Sequence, residues 1–268
     1  MRRTVAAVVA VLCSSASLHA YELLTTSGGK PLRWQTNKFP VRFVINQAGS
    51  ADLSVADVEE AVKVSFRTWQ DVPTASITFF YGGLTAQTTM TAEGTNLVRW
   101  FESAFPFDKN SLAVTVTSFN DSTGAISDAD MHMNGSSFSW AVVPTPGRFD
   151  VQSVVTHEAG HVLGLGHTDD TEATMYADAA WAETKKRTLE ADDITGVTFL
   201  YPLAPGTVFP GDVNHDGRVD GIDLVELGMA FGATKKEARY RKAADFDLNG
   251  VVDGADLAVL AQTFGIRY

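Results

Sequence analysis

The sequence predicts an α+β fold in two unequal parts: strands and helices around one sheet, then a small helical module built on a duplicated loop. Three observations predict it. The stretch Val41-Arg42-Phe43-Val44-Ile45-Asn46, alternating in its first half, is followed by a capped amphipathic helix; a second helix in mid-chain carries clustered histidines; and beyond a Pro/Gly break a twelve-residue Asp/Asn/Gly pattern occurs twice. At 268 residues and 45% hydrophobic, the chain can bury a substantial core, and its length suits one medium domain plus something small. The expected boundaries are a leader at 1–20, the larger domain at 21–203, a linker at 204–210 and the module at 211–268.

In the leader, Arg2 and Arg3 precede an apolar run from Val5 to Cys13, and small residues follow up to Ala20, the layout of a secretory signal peptide. The expected cut follows Ala20, with Ala16 or Ser17 as alternatives, and the run is too short to anchor stably in a bilayer. The single cysteine, Cys13, lies in this leader, so the secreted, extracellular product is expected to have no disulfide and to need a large core or bound metal instead. A net charge of −11 argues against nucleic acid and anionic membrane surfaces as partners. No second apolar stretch is long enough for a transmembrane helix.

Val41 to Asn46 reads as a half-buried strand. In the helix that follows, Ser54 caps with Asp57 three residues on, Leu53 packs on Val58, and Val55, Val58, Val62, Phe66 and Trp69 share one face. Ile77 to Tyr81, Leu97 to Trp100, Leu112 to Ser118 and Asp128 to Met133 are strand candidates. The histidine-bearing helix comes next, with Asp150 as N-cap and Val151, Val154 and Val155 facing the core. A last helix is expected after Thr188, stopped by Tyr201-Pro202, and Leu203-Ala204-Pro205-Gly206-Thr207 carries the breakers of a linker.

The segment His157-Glu158-Ala159-Gly160-His161-Val162-Leu163-Gly164-Leu165-Gly166-His167 holds three of the six histidines. His157 and His161 lie one turn apart on one helix face, so both imidazoles can reach one zinc ion at roughly 2.0–2.1 Å. Gly164, able to adopt the left-handed conformation, ends the helix and returns His167 to the same ion. Glu158 projects from the neighbouring position, where it can reach water on the open side of the metal as general base. The pattern therefore implies metal-assisted hydrolysis. The plain alternative, a buried helix whose histidines are satisfied by hydrogen bonds, leaves the five constrained positions unexplained.

Asp212-Val213-Asn214-His215-Asp216-Gly217-Arg218-Val219-Asp220-Gly221-Ile222-Asp223 recurs 33 residues later as Asp245-Phe246-Asp247-Leu248-Asn249-Gly250-Val251-Val252-Asp253-Gly254-Ala255-Asp256. In the first copy Asp212, Asn214, Asp216, Asp220 and Asp223 offer side-chain oxygens and Arg218 its carbonyl. In the second, Asp245, Asp247, Asn249, Asp253 and Asp256 do so, with Val251 supplying the carbonyl. Hard oxygen ligands around a sixth-position glycine suit calcium, one ion per loop. Without it the carboxylates repel one another, and the module is expected to be largely unfolded.

The HEAGHVLGLGH segment and Ala173-Thr174-Met175-Tyr176 resemble the metzincin clan of zinc endopeptidases. With Phe39-Pro40, the helix ending in Trp69, Asp128 to Asn134, Asp192-Asp193-Ile194 and Leu200-Tyr201-Pro202, the chain is most similar to the matrixins over roughly residues 37–202. That resemblance implies a twisted, mostly parallel sheet with long helices, zinc on His157, His161 and His167, Glu158 as general base and Met175 in a supporting turn. It also implies a peptide substrate, paired with the strand from Asp130 to Asn134. Two features depart from the pattern: the mature chain lacks the cysteine of a latency propeptide, and too few histidines remain for a second zinc. Asp128, Asp130 and His132 are left as either another ion site or a polar edge strand. The repeat resembles dockerin modules, which implies calcium and a cohesin-like or cell-surface partner, although loop positions ten and eleven are Gly221-Ile222 and Gly254-Ala255 rather than hydroxyl residues. The reading is a zinc endopeptidase with a calcium-loaded attachment module; the alternative is a catalytically silent calcium-binding surface or adhesion component.

Overall fold

The computed structural model describes residues 21–89, 94–203, 210–214 and 218–265. The expected leader, residues 204–209 of the linker, and Asp216 lie outside the described residues. The first part holds β1 (Val41–Asn46), α1 (Val55–Gln70), β2 (Phe79–Thr85), β3 (Asn96–Phe101), β4 (Ala113–Phe119), β5 (Ile126–Asn134), the short pair β6 (Trp140–Ala141) and β7 (Phe149–Asp150), α2 (Val151–Leu163) and α3 (Ala191–Leu200). The five-stranded sheet has the order β2-β1-β3-β5-β4. Every neighbouring pair is parallel except β4 with β5, so β4 is an antiparallel edge strand. The expected α+β class with a mostly parallel sheet is what the chain forms.

The expected helix starts hold where a short polar side chain can cap. The Ser54 hydroxyl accepts the Asp57 N–H at 3.1 Å and opens α1, and Asp150 accepts the Ser153 N–H at 2.8 Å and opens α2. The two helices pack together: Trp69, fully buried on α1, donates its Nε1–H to the Thr156 carbonyl of α2 at 2.7 Å, and Phe66 stacks on Phe43 of β1 with ring centres 4.0 Å apart. Gly160 is needed where α1, α2 and the Met175 turn meet, since a Cβ there would lie 2.2 Å from Met175 Sδ and 2.9 Å from Trp69.

Two elements differ from expectation. β2 runs on through Gly82-Gly83 to Thr85, because a register shift opposite Phe43 to Ile45 accommodates the glycines that hide the strand pattern. α3 begins at Ala191 rather than just after Thr188, because its start is set by a reciprocal Glu190/Asp193 capping box.

The second part contains α4 (Gly221–Ala230) and α5 (Gly254–Thr263), capped by Asp220 and Asp253 in matching boxes with Asp223 and Asp256. Its core is seven small to medium side chains: Val213, Val219, Leu227, Ala230, Ala244, Val252 and Leu260. None of the described helices is long and apolar enough to cross a membrane.

Candidate metal centre and substrate cleft

The histidine cluster is built by the end of α2. Gly164 takes φ of 100°, and its N–H closes onto the Gly160 and His161 carbonyls, so the chain reverses and brings His167 back over the helix. His167 Nε2 then lies 3.1 Å from both His157 Nε2 and His161 Nε2. The opposite ring nitrogens face carbonyls: His157 Nδ1 is 2.7 Å from Thr174 O, and His161 Nδ1 is 2.8 Å from Leu165 O. Donation from Nδ1–H leaves the Nε2 lone pairs of those two rings pointing inward. Lone pairs packed this closely repel unless a cation lies between them. A tetrahedral ion with bonds of roughly 2.0–2.1 Å sets its ligand nitrogens about 3.3 Å apart, so the cluster fits zinc. Burial lowers all three imidazoles below the ordinary histidine range, His157 most strongly, which favours the neutral form a metal requires.

Glu158 is buried beside them. The Thr115 hydroxyl on β4 donates to Glu158 Oε2 at 2.6 Å. Burial pushes the Glu158 carboxyl up to about 7, against the opposing pull of that hydrogen bond and of the neighbouring cationic groups. A bound divalent cation acts in the same direction as that hydrogen bond, toward the carboxylate.

Met175 lies under α2 in a turn whose backbone is held by Asp193: one carboxylate oxygen accepts the Met175 N–H at 2.9 Å and the other the Thr174 N–H at 2.8 Å. Lys186, only 1% exposed, donates from Nζ to the Thr174 carbonyl at 3.2 Å and to the Tyr176 carbonyl, and sits 3.5 Å from His157 Nδ1. Burial lowers its pKa to about 8. Neither Lys186 nor Thr115 stood out in the sequence. Lys185-Lys186-Arg187 looks like an ordinary solvated basic run, and Thr115 alternates within a strand like any other polar residue.

The histidines and Glu158 line one side of a cleft of about 520 Å³, with Asn110 to Thr115 along another and Phe138, Phe149 and Val154 among its apolar walls. This corrects the expectation for the substrate strand. β5, carrying Asp130 to Asn134, is hydrogen-bonded on both sides, to β3 and to β4, and has no edge to offer. The free edge belongs to β4. Asp128, Asp130 and His132 therefore do not form an edge strand. Asp130 accepts the Leu97 N–H at 2.8 Å, and His132 stacks on Phe101 with an edge contact to Phe107. Among the described residues, two groups bring three metal-binding side chains together, and that trio is neither of them.

The second such group is Asp245, Asp247 and Asp256, with ligand atoms within 4.8 Å of one another. Asp245 Oδ1 is buried with no hydrogen-bond donor among the described residues, an acceptor that a calcium ion would satisfy. Gly250 takes φ of 95° and gives its N–H to Asp245 Oδ2 at 3.0 Å. Asn249 bonds along the loop, its amide donating to Asp247 Oδ2 at 2.9 Å and its Oδ1 accepting the Val251 N–H at 2.8 Å. Asp253 spends one oxygen capping α5, while Asp256 accepts from Phe246 and Asp253 N–H. In the first loop Asp223 accepts from Val213, Asn214 and Asp220 N–H, and Asp220 caps α4 in the same way. Asp212 is fully buried, and Arg218 lies in a short bridge.

The family model for matrixins matches residues 33–202, more than half of the chain. The chain belongs to the matrixin family. A type I dockerin domain model matches residues 210–265. Relatives of the matrixin region include matrix metalloproteinase-18 of Xenopus laevis, 28% identical over 191 residues, covering 71% of this chain and 38% of the relative. Metalloendoproteinase 2-MMP of Arabidopsis thaliana is 26% identical over 212 residues, covering 78% and 53%. Metalloendoproteinase 1 of Glycine max is 45% identical over 62 residues, covering 23% and 20%. The chain thus spans about half or less of the length of these curated relatives. The histidine cluster, Glu158, Met175 and Thr115 all lie within the matched stretch.

Proposed function

We propose that this matrixin is a secreted zinc-dependent endopeptidase that hydrolyses peptide bonds and carries a calcium-loaded attachment module. The observation that carries the reading is the convergence of three Nε2 atoms, two of the pairs at 3.1 Å, next to the buried Glu158 carboxyl and opposite the free edge of β4. An extended peptide laid along β4 makes backbone hydrogen bonds to that edge and brings a scissile carbonyl to the histidines, while the apolar walls take a neighbouring side chain. His157, His161 and His167 would hold zinc, which would supply Lewis acidity and acidify water at the site. Glu158 takes the proton of the attacking water on its carboxylate and delivers it to the departing amine nitrogen. The Thr115 hydroxyl orients Oε2 for this shuttle, and the carbonyls of Thr174 and Leu165 fix the ring orientation of His157 and His161.

For the module, the cluster of Asp245, Asp247 and Asp256 and the matching hydrogen bonds of the first loop support one calcium in each loop, and the match to the type I dockerin model supports a cohesin-like or cell-surface partner. The leader pattern supports secretion. The deciding experiment is peptide hydrolysis by the zinc-loaded chain and by Glu158→Ala. Wild-type cleavage lowered about 10²–10⁴-fold in the variant is expected. Absence of cleavage by correctly metallated wild type across a diverse peptide library refutes the proposal and leaves a silent calcium-binding surface component.

A further inference from the structure

His157 and His161 are held by α2 itself, whereas His167 lies off the helix, reached through the turn 164–166 and tied on its far side by Thr168 N–H to the Met175 carbonyl at 3.1 Å. That turn is held by residues 22–34. Trp34 Nε1–H donates to the Val162 carbonyl at 2.9 Å, and Leu24 N–H donates to the Gly164 carbonyl at 2.9 Å. Gly166 N–H donates back to the Glu22 carbonyl at 2.8 Å, completing a small antiparallel bridge between Leu23 and Leu165. The remaining carbonyl, Leu163, is taken by the Tyr201 hydroxyl at 2.6 Å, which in turn accepts Trp34 N–H at 3.1 Å. Leu32 O fills the place of a Cβ at Gly164, only 2.1 Å from where it would stand. The Gly164 cap pairs the Gly160 and His161 carbonyls, and the two it leaves open at the end of α2, Val162 and Leu163, are paired through this segment and through Tyr201.

The other end of the segment is anchored on the β4–β5 turn. Arg33 exchanges backbone hydrogen bonds with Gly124 and Ile126 at 2.9 Å, and Ser27 gives its N–H and hydroxyl to Asp121 at 2.9 and 2.7 Å. Leu24 also lines the cleft beside His161 and His167. Residues 22–32 precede the stretch matched by the family model, yet they are built into the metal centre.

We propose that residues 22–34 act as a positioning strap for the third ligand, so that strap and zinc stabilise each other. Freeing the strap restores backbone freedom to 164–166 and leaves His167 fixed from its Thr168 side alone, which loosens one nitrogen of a preformed three-nitrogen site while the two on α2 stay in place. Trimming the chain a few residues beyond Tyr21 then acts as an off switch for metal retention. The inference rests on the zinc reading, and its test reads metal rather than hydrolysis. A chain beginning at Tyr21 and one beginning at Lys30 are titrated against a chromogenic zinc chelator, with far-UV circular dichroism as the check on folding. The shorter chain is expected to bind zinc about 10–100-fold more weakly. Affinities within twofold of each other overturn the strap, and no zinc binding by the longer chain overturns the zinc reading as well. Should the shorter chain not fold, hydrogen exchange on the intact chain decides, because linkage is reciprocal. Zinc loading must slow exchange at the Leu24 and Gly166 amides, and equal exchange in loaded and stripped protein overturns the proposal.

Discussion

The centre on α2 and the acidic loops near the C-terminus both gather metal ligands, but they hold them by opposite means. The histidines are fixed by a large core, by carbonyls behind two of the rings and by a turn paired to distant segments. The loop carboxylates lie over seven small to medium core residues and are held by their own backbone amides. The difference teaches where each ion's binding energy goes. At the first site the fold prepares the ligands, and zinc adds chemistry. At the second the ion offsets the repulsion of the ligands, and calcium adds the fold.

The largest expected effect follows directly. Calcium chelation should abolish most of the helical signal of residues 211–268, whereas selective removal of zinc should leave the near-ultraviolet signal of the buried Trp69 and Trp140 intact. Circular dichroism and tryptophan fluorescence of the full chain distinguish the two, and equal loss from both treatments breaks the comparison.

Next in size is Gly164→Ala. The new Cβ meets Leu32 O at 2.1 Å in a left-handed conformation, so a loss of about 3 kcal/mol or more is expected, with weakened zinc binding, by thermal or urea unfolding. Gly221→Ala, at an open position in the module with nothing within 4 Å of its Cβ, is the control and should change stability by less than about 1 kcal/mol.

Acid should separate the sites in order. The three imidazole pKa values are lowered by burial, so their contribution is present above the ordinary histidine value of about 6.5 and is lost as pH falls through the lowered folded values. Burial raises the Asp245 carboxyl, but the hydrogen bonds from Tyr240 and Gly250 outweigh it and hold it below the usual carboxylate value. Its contribution is present above about 3.9 and is lost only below that. Metal analysis across an acid titration should show zinc leaving first, with calcium retained to lower pH. The reverse order contradicts the account.

The smallest effect is local. Thr115→Val removes the hydrogen bond to Glu158 Oε2, which raises the Glu158 carboxyl further and should shift the acid limb of the kcat/KM profile upward. A cost of about 1.5 kcal/mol, roughly tenfold in rate at neutral pH, is expected with zinc affinity unchanged.

What was legible in the sequence is what short spacing encodes. Two histidines one helical turn apart, a glycine that ends the helix and an acidic loop repeated at 33 residues each carry their geometry within a dozen positions. What was hidden comes from distant chain. Trp34 reaches Val162 across 128 residues and Thr115 reaches Glu158 across 43, and no periodicity marks either pair. The expectation of a free edge on β5 fails for the same reason. Strand polarity is local, but the order β2-β1-β3-β5-β4 that leaves β4 at the edge is a property of the whole sheet. Lys186 was missed because a buried ammonium satisfied by carbonyls looks, in sequence, like a surface charge.

Elemental analysis of the purified, folded chain, alongside His161→Ala, tests the central claim most directly. The account predicts one zinc per wild-type chain and a large loss of it in the variant, with the calcium content of the two proteins equal. A wild-type chain without stoichiometric zinc, or a variant that retains it undiminished, contradicts the claim that these three imidazoles hold the catalytic ion.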